Sequence, residues 1–326
     1  MSVTIATRAF ALGLATASTL AGSAWAEARL AMATTSAASS HYAYAVAATQ
    51  AIHKANSGVD VTVIETGGAR DNLRRLQRNQ ADLGIVTTNV AYDVVNGEGD
   101  FEGKAYNGQM LWIYGATIQN VIVRADSGIT SLEGLVGTKF NPGIAGSGTE
   151  AAANAVFETL EIEADWVRGS TGDVVDQIKD NRVVGYVKSG AGRKLDSSTT
   201  SIAALTPIRV LSLNDGQVAT IKENLGNLSV VEVGDDEAGQ GIPGYRTWAY
   251  ATGIMARPEL DEEQAYQMTK AVVEDNQLQA GAFAGLQGSD IPQLTMDLAV
   301  TPLHPGAIRY YEEIGLQIPD HLRPES

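Results

Sequence analysis

Cysteine is absent from all 326 residues, which excludes disulfides, thiolate metal sites and cysteine nucleophiles together. Histidine is scarce: His41, His53, His304 and His321 form no H-E-x-x-H pair, so a zincin helix is excluded. No serine stands in a G-x-S-x-G elbow, since Ala145 occupies the place of the outer glycine before Ser147. Basic residues are the minority, with 23 Lys and Arg against 38 Asp and Glu and a net charge of −15. Such a chain is a poor partner for nucleic acid or anionic lipid. After residue 26 no apolar run is long enough to span a bilayer.

The first 26 residues read as a secretory signal peptide. Arg8 is their one charge, an alanine- and leucine-rich run follows, and Ala24-Trp25-Ala26 makes a small-residue cleavage site before Glu27. Export without disulfides suits a bacterial periplasm, where about 300 residues can be stabilised by burial alone. From Arg29 onwards, short apolar strands alternate with helices. Strands are expected at 30–34, 59–65 and 83–87, with helices at 44–54, 69–79 and 89–95 between and after them. This order implies a parallel sheet in a doubly wound domain. Two further strands, 110–116 and 121–124, precede a second series: strand 138–141, a helix from Thr149, a helix at 172–179 and a strand at 183–188. Strands at 208–211, 228–233 and 247–256 follow, then helices at 261–276, 291–298 and 305–313.

Two βα series in one chain imply two lobes with a cleft between them. The fold class expected is therefore α/β, two mostly parallel sheets flanked by helices in the manner of a type II periplasmic binding protein. Residues 27–120 and 250–326 would form a discontinuous first lobe and residues 121–249 the second. The stretches near Val121 and Trp248 would serve as crossovers.

The chain is organised around Asn141-Pro142-Gly143-Ile144-Ala145-Gly146-Ser147-Gly148-Thr149-Glu150, a glycine-rich turn between a strand and a helix. Such a turn leaves backbone N–H groups free at a helix N-terminus, where the macrodipole favours negative charge. It lacks the Gly-Lys-Ser/Thr ending of a phosphate P-loop and the dinucleotide fingerprint. A carboxylate is the simplest ligand, and an ordinary capped turn is the alternative.

An ordered set of motifs adds to this reading. It comprises Thr66-Gly67-Gly68 with Asn72-Leu73, Ala81-Asp82-Leu83-Gly84-Ile85-Val86, Val123-Arg124-Ala125-Asp126-Ser127-Gly128-Ile129, Gly146-Ser147-Gly148-Thr149-Glu150 and Leu303-His304-Pro305-Gly306-Ala307. With the signal peptide, this set resembles the TAXI family, the periplasmic receptors of TRAP transporters, over essentially the whole mature chain. The resemblance implies a carboxylate-bearing solute such as glutamate, 2-oxoglutarate or a related dicarboxylate. It also implies a TRAP-type membrane permease as partner. Many relatives have a basic or neutral residue where this chain has Glu150, and Tyr-Tyr-Pro near His41-Tyr42-Ala43-Tyr44.

In open α/β sheets ligands sit beyond the carboxyl ends of the strands. That rule selects Ser39, Ser40, His41 and Tyr42 after the first strand, and Glu65, Thr66, Gly67 and Gly68 after the second. Thr87, Thr88 and Asn89 follow the third, and Ser147, Gly148 and Thr149 the glycine-rich turn. Capping explains Asn89 equally well. Glu65 could pair with a ligand ammonium or with a neighbouring loop. Lys188, ending an interior strand, is the preferred cationic partner for a carboxylate, or else snorkels to the surface. Tyr92, Tyr186 and Trp248 could wall the pocket or belong to the core. The carboxylate would rest on the Gly146–Thr149 turn, the Thr66–Gly68 turn, or both. The expected molecule is a monomeric receptor for a small organic anion, without cofactor, metal or catalysis. The alternative is a secreted hydrolase of α/β fold.

Overall fold

The computed structural model describes Met1 and residues 28–324; the signal peptide expected at 1–26 lies, but for Met1, outside the described residues. The first lobe begins with β1 (Ala28–Ala33), α1 (Ser40–Lys54), β2 (Val59–Ile64), α2 (Ala69–Gln77), β3 (Leu83–Thr87) and α3 (Thr88–Asn96). Gly97 ends α3 in the left-handed region that glycine adopts freely. β4 (Gln109–Arg124) then runs out of this lobe as one strand of 16 residues. Beyond it come β5 (Lys139–Asn141), α4 (Gly148–Thr159), β6 (Asp165–Trp166), α5 (Thr171–Lys179), β7 (Gly185–Ser189) and α6 (Ser197–Ala203). After these lie β8 (Ile208–Leu211), α7 (Asp215–Asn224) and β9 (Ser229–Val233). β10 (Tyr245–Ala256) returns to the first lobe, and α8 (Glu262–Glu274), α9 (Asn276–Ala282), α10 (Ile291–Leu298) and α11 (Pro305–Glu313) complete it.

The expected break between two strands at 117–120 does not exist. Thr117, Gln119 and Asn120 are polar and read locally as a turn, yet all three are fully buried within β4. The opposing strand supplies partners: Thr117 bonds Thr252 at 2.8 Å, and Tyr245 donates to Asn120 Oδ1. These bonds offset the burial of Thr117 and of the Asn120 carbonyl, while Gln119 Oε1 and Asn120 Nδ2 are buried without a hydrogen-bond partner.

The sheet order is β2-β1-β3-β10-β4-β7-β5-β6, with β8 paired to β4 and β9 to β10. β1, β2 and β3 are parallel to one another, as are β7, β5 and β6, while β10 and β4 are antiparallel and join the two groups. β4 runs in the same sense as β3 and opposite to β7. The carboxyl ends of both parallel groups therefore face each other across the middle of β4 and β10. The buried apolar side chains divide in the same place. One core draws on residues 30–114 and 251–322, with Ala191 reaching in, and the others lie between residues 118 and 250. Among the described residues no helix is long and apolar enough to cross a membrane.

Candidate functional site

Because the strand ends converge, loops from both lobes meet over the crossing strands. They line a small cleft of about 40 Å³. Tyr250 and Thr252 of β10 form its floor. Of the residues selected from sequence, Ser39, His41, Gly68, Thr87, Ser147, Gly148, Thr149 and Lys188 line it. The two glycine-rich turns that the sequence singled out face each other across it. The amide of Arg70 donates to the Gly146 carbonyl at 2.8 Å, and a Cβ on Gly67 would come within 2.9 Å of the Ala145 oxygen.

The N-terminus of α4 supplies the polar wall. Ser147 caps the helix by accepting from the Glu150 amide, while Thr149 Oγ1 bonds Tyr250 Oη at 2.9 Å. The amides of Gly148 and Thr149, in the first turn, have no intrahelical acceptor and take none elsewhere among the described residues. Opposite them, Thr87 Oγ1 is buried without a hydrogen-bond partner and lines the cleft. A Cβ on Gly148 would stand 2.0 Å from that oxygen, so only glycine lets α4 approach β3 so closely.

Lys188 ends β7 at the cleft and is 6% exposed. The sequence reading offered it as the cationic partner of a ligand carboxylate, or else as a charge snorkelling to the surface. In the structure its Nζ lies 3.7 Å from Asp196 Oδ1 and donates to Ser39 Oγ at 3.2 Å. Asp196 is fully buried and accepts from Ser39 Oγ at 3.1 Å, the Ser40 amide at 2.8 Å and the Ser198 amide at 3.0 Å. Burial alone would raise its pKa, but the charge of Lys188 and the Ser198 hydrogen bonds outweigh it and hold the carboxyl below its usual value. One carboxylate thus caps α6, neutralises Lys188 and grips the N-terminus of α1 from the opposite lobe.

His41 is wedged among Tyr114, Phe283 and the Lys188–Asp196 pair, with Nδ1 2.8 Å from Tyr114 Oη. Burial, and next the charge of Lys188, lower its pKa to about 4, so the ring is neutral near pH 7. A second cross-lobe ion pair flanks the site: Arg70 Nη1 lies 3.6 Å from the buried Glu150 carboxylate. Glu150 also accepts from the Gly146 amide at 2.8 Å, so it braces the turn.

The remaining selected residues stand back from the cleft. Ser40 accepts from the Ser197 amide, and Tyr42 is half-buried on α1. Glu65 is exposed and accepts from the Ala37 amide at 2.7 Å, which is the loop contact rather than the ammonium partner. Thr66 donates to the Thr34 carbonyl and Asn72, Gly67 abuts the opposite turn, and Thr88 accepts from the Ala251 amide. Asn89 donates to the Gly148 carbonyl at 3.3 Å, another bond between the lobes. Of the aromatic candidates, Tyr186 and Trp248 are core, whereas Tyr92 is exposed. Sequence reasoning missed Thr34, Thr35, Tyr250 and Asp196. Asp196, before five hydroxyl residues in a row, carries a cap signal that gives no hint of its distant partners.

Residues 32–315 match the model of the NMT1-like family. Among solved structures, the periplasmic binding protein BugD is similar with a TM-score of 0.57 at 12% identity, over 88% of this chain and 94% of that one. A protein described as a periplasmic transporter matches with a TM-score of 0.54 at 14% identity, over 88% and 92%. A putative L-cystine ABC transporter protein from Listeria monocytogenes matches with a TM-score of 0.50 at 11% identity, over 80% and 97%. These likenesses are likenesses of fold: the chain has the α/β architecture of two-lobed periplasmic binding proteins.

Proposed function

The chain belongs to the NMT1-like family, and from that premise we propose that it is an extracytoplasmic receptor that encloses a small carboxylate-bearing solute between its lobes and delivers it to a membrane permease. The observation that carries this reading is the cleft itself, walled by hydroxyls and free amides and built from both lobes. A solute bound there touches both walls, so its differential affinity for the closed state drives closure. Its carboxylate rests on the Gly148 and Thr149 amides, with Lys188 across the cleft. The ordered motifs put a TRAP-type permease first among partners, and glutamate, 2-oxoglutarate and related dicarboxylates first among solutes to test. The protein acts as a monomer and needs no chemistry of its own. Ser147, the one serine in the glycine-rich turn, is engaged as a helix cap.

A thermal-shift screen of the mature chain against small organic acids tests this. A solute at 100 times its Kd adds about 2.7 kcal/mol of stability. With a solute in hand, Thr149→Ala and Lys188→Ala should each weaken binding about tenfold or more, the scale of a hydrogen bond to a charged group. Unchanged affinity in both variants would place the solute elsewhere. Recovery of the solute unaltered after release separates a receptor from a hydrolase.

A further inference from the structure

Granted the receptor reading, we infer that the solute is not one of the dicarboxylates that the motifs put first but a monocarboxylate whose remaining groups are uncharged: Lys188, the one charged side chain lining the cleft among the described residues, is already matched by Asp196. Side chains therefore bring no net charge to the site. His41 adds none near pH 7. What is left for an anion is the partial positive charge of the α4 N-terminus, the two free amides and one remaining direction on the Lys188 ammonium. That suffices for one carboxylate. A second would be enclosed without a counter-charge, and unpaired buried charge is among the costliest things a protein can hold. An ammonium fares no better, because no Asp or Glu lines the cleft.

The rest of the lining agrees. The unpartnered Thr87 hydroxyl and the neutral Tyr250 phenol suit a hydroxyl or oxo group, and Ile85, Ile144 and Val187 suit a short hydrocarbon chain. Of the buried hydroxyls without a partner among the described residues, Thr49, Thr87, Tyr106 and Thr301, only that of Thr87 belongs to the cleft lining.

Calorimetric titration of the mature chain at pH 7 with isosteric pairs tests the charge count. Succinate and its half-amide succinamate, or glutarate and glutaramate, differ in one negative charge and hardly in shape; lactate and butyrate extend the series. The half-amides and monoacids should bind at least tenfold tighter than the diacids. Asp196→Asn leaves Lys188 unmatched and should shift the preference toward the diacid by tenfold or more. Should that variant fail to fold, the wild-type pairs decide alone. A diacid that binds wild-type protein tighter than its half-amide overturns the inference and leaves the receptor reading standing. Silence from every acid overturns both.

Discussion

His41 shows at the scale of one residue how burial at the site couples to stability. Folded, its imidazole takes a proton only near pH 4, against 6.5 for the unperturbed group. The unfolded chain binds that proton first, so stability is full above pH 6.5 and falls as the pH drops toward 4. The loss amounts to about 3 kcal/mol across that window. Urea unfolding between pH 7.5 and 4.5 should show this slope, and His41→Gln should flatten it. An unchanged slope in the variant would assign the pH dependence to other groups. The sequence put His41 in the loop between the first strand and a helix expected from Tyr44, whereas it is the second residue of α1. It could not reveal that the ring would be neutral, since Tyr114, Phe283 and Lys188 arrive from distant parts of the chain.

Among elements, α4 matters most. Ala152, Ala153, Val156 and Phe157 bury one face against the second lobe's core, while the glycine-rich turn brings the other end to β3. Gly148→Ala adds a methyl 2.0 Å from Thr87 Oγ1 and 2.8 Å from its Cβ. Relief requires α4 to retreat from the first lobe, at an overpacking cost of about 1–3 kcal/mol. The variant should therefore bind solute about ten- to a hundredfold more weakly. Wild-type affinity in Gly148→Ala would show that this contact is not part of the bound state. Turn and helix were both legible, because glycine and capping signals are local. By contrast, α6, α7 and α9 went unassigned. α6 is Ser-Ser-Thr-Thr-Ser-Ile-Ala, a composition with little helix propensity, and it forms because Asp196 caps it while Ile202 is buried.

At the scale of the molecule, β4 and β10 are the continuous links, and the closed arrangement is held by bonds between the lobes. These include Ser40 to Asp196, Arg70 to Gly146 and Asn89 to Gly148. We propose that the lobes comprise residues 27–120 with 250–326, and residues 121–249. On that division, small-angle scattering should show the radius of gyration fall when solute is added to wild-type protein. The fall should be smaller for Gly148→Ala at the same solute concentration. A radius unchanged in wild type under saturating solute would mean that the lobes close without it.

The sequence by itself determined the α/β alternation, the places of nearly all strands and the positions of the two glycine-rich turns along the chain. Period, capping and turn chemistry act over a few residues, and those residues are adjacent in the chain. Only the tertiary structure decided the charge of the site. Asp196 meets Ser39 across 157 positions of sequence and matches Lys188 on the way, which turns the preferred cationic partner of a ligand carboxylate into half of a buried pair. The same holds for Thr117 and Asn120 in the polar middle of β4, whose partners Thr252 and Tyr245 come from more than a hundred residues away. A buried charge or hydroxyl is defined by its partners, and topology alone brings those partners together.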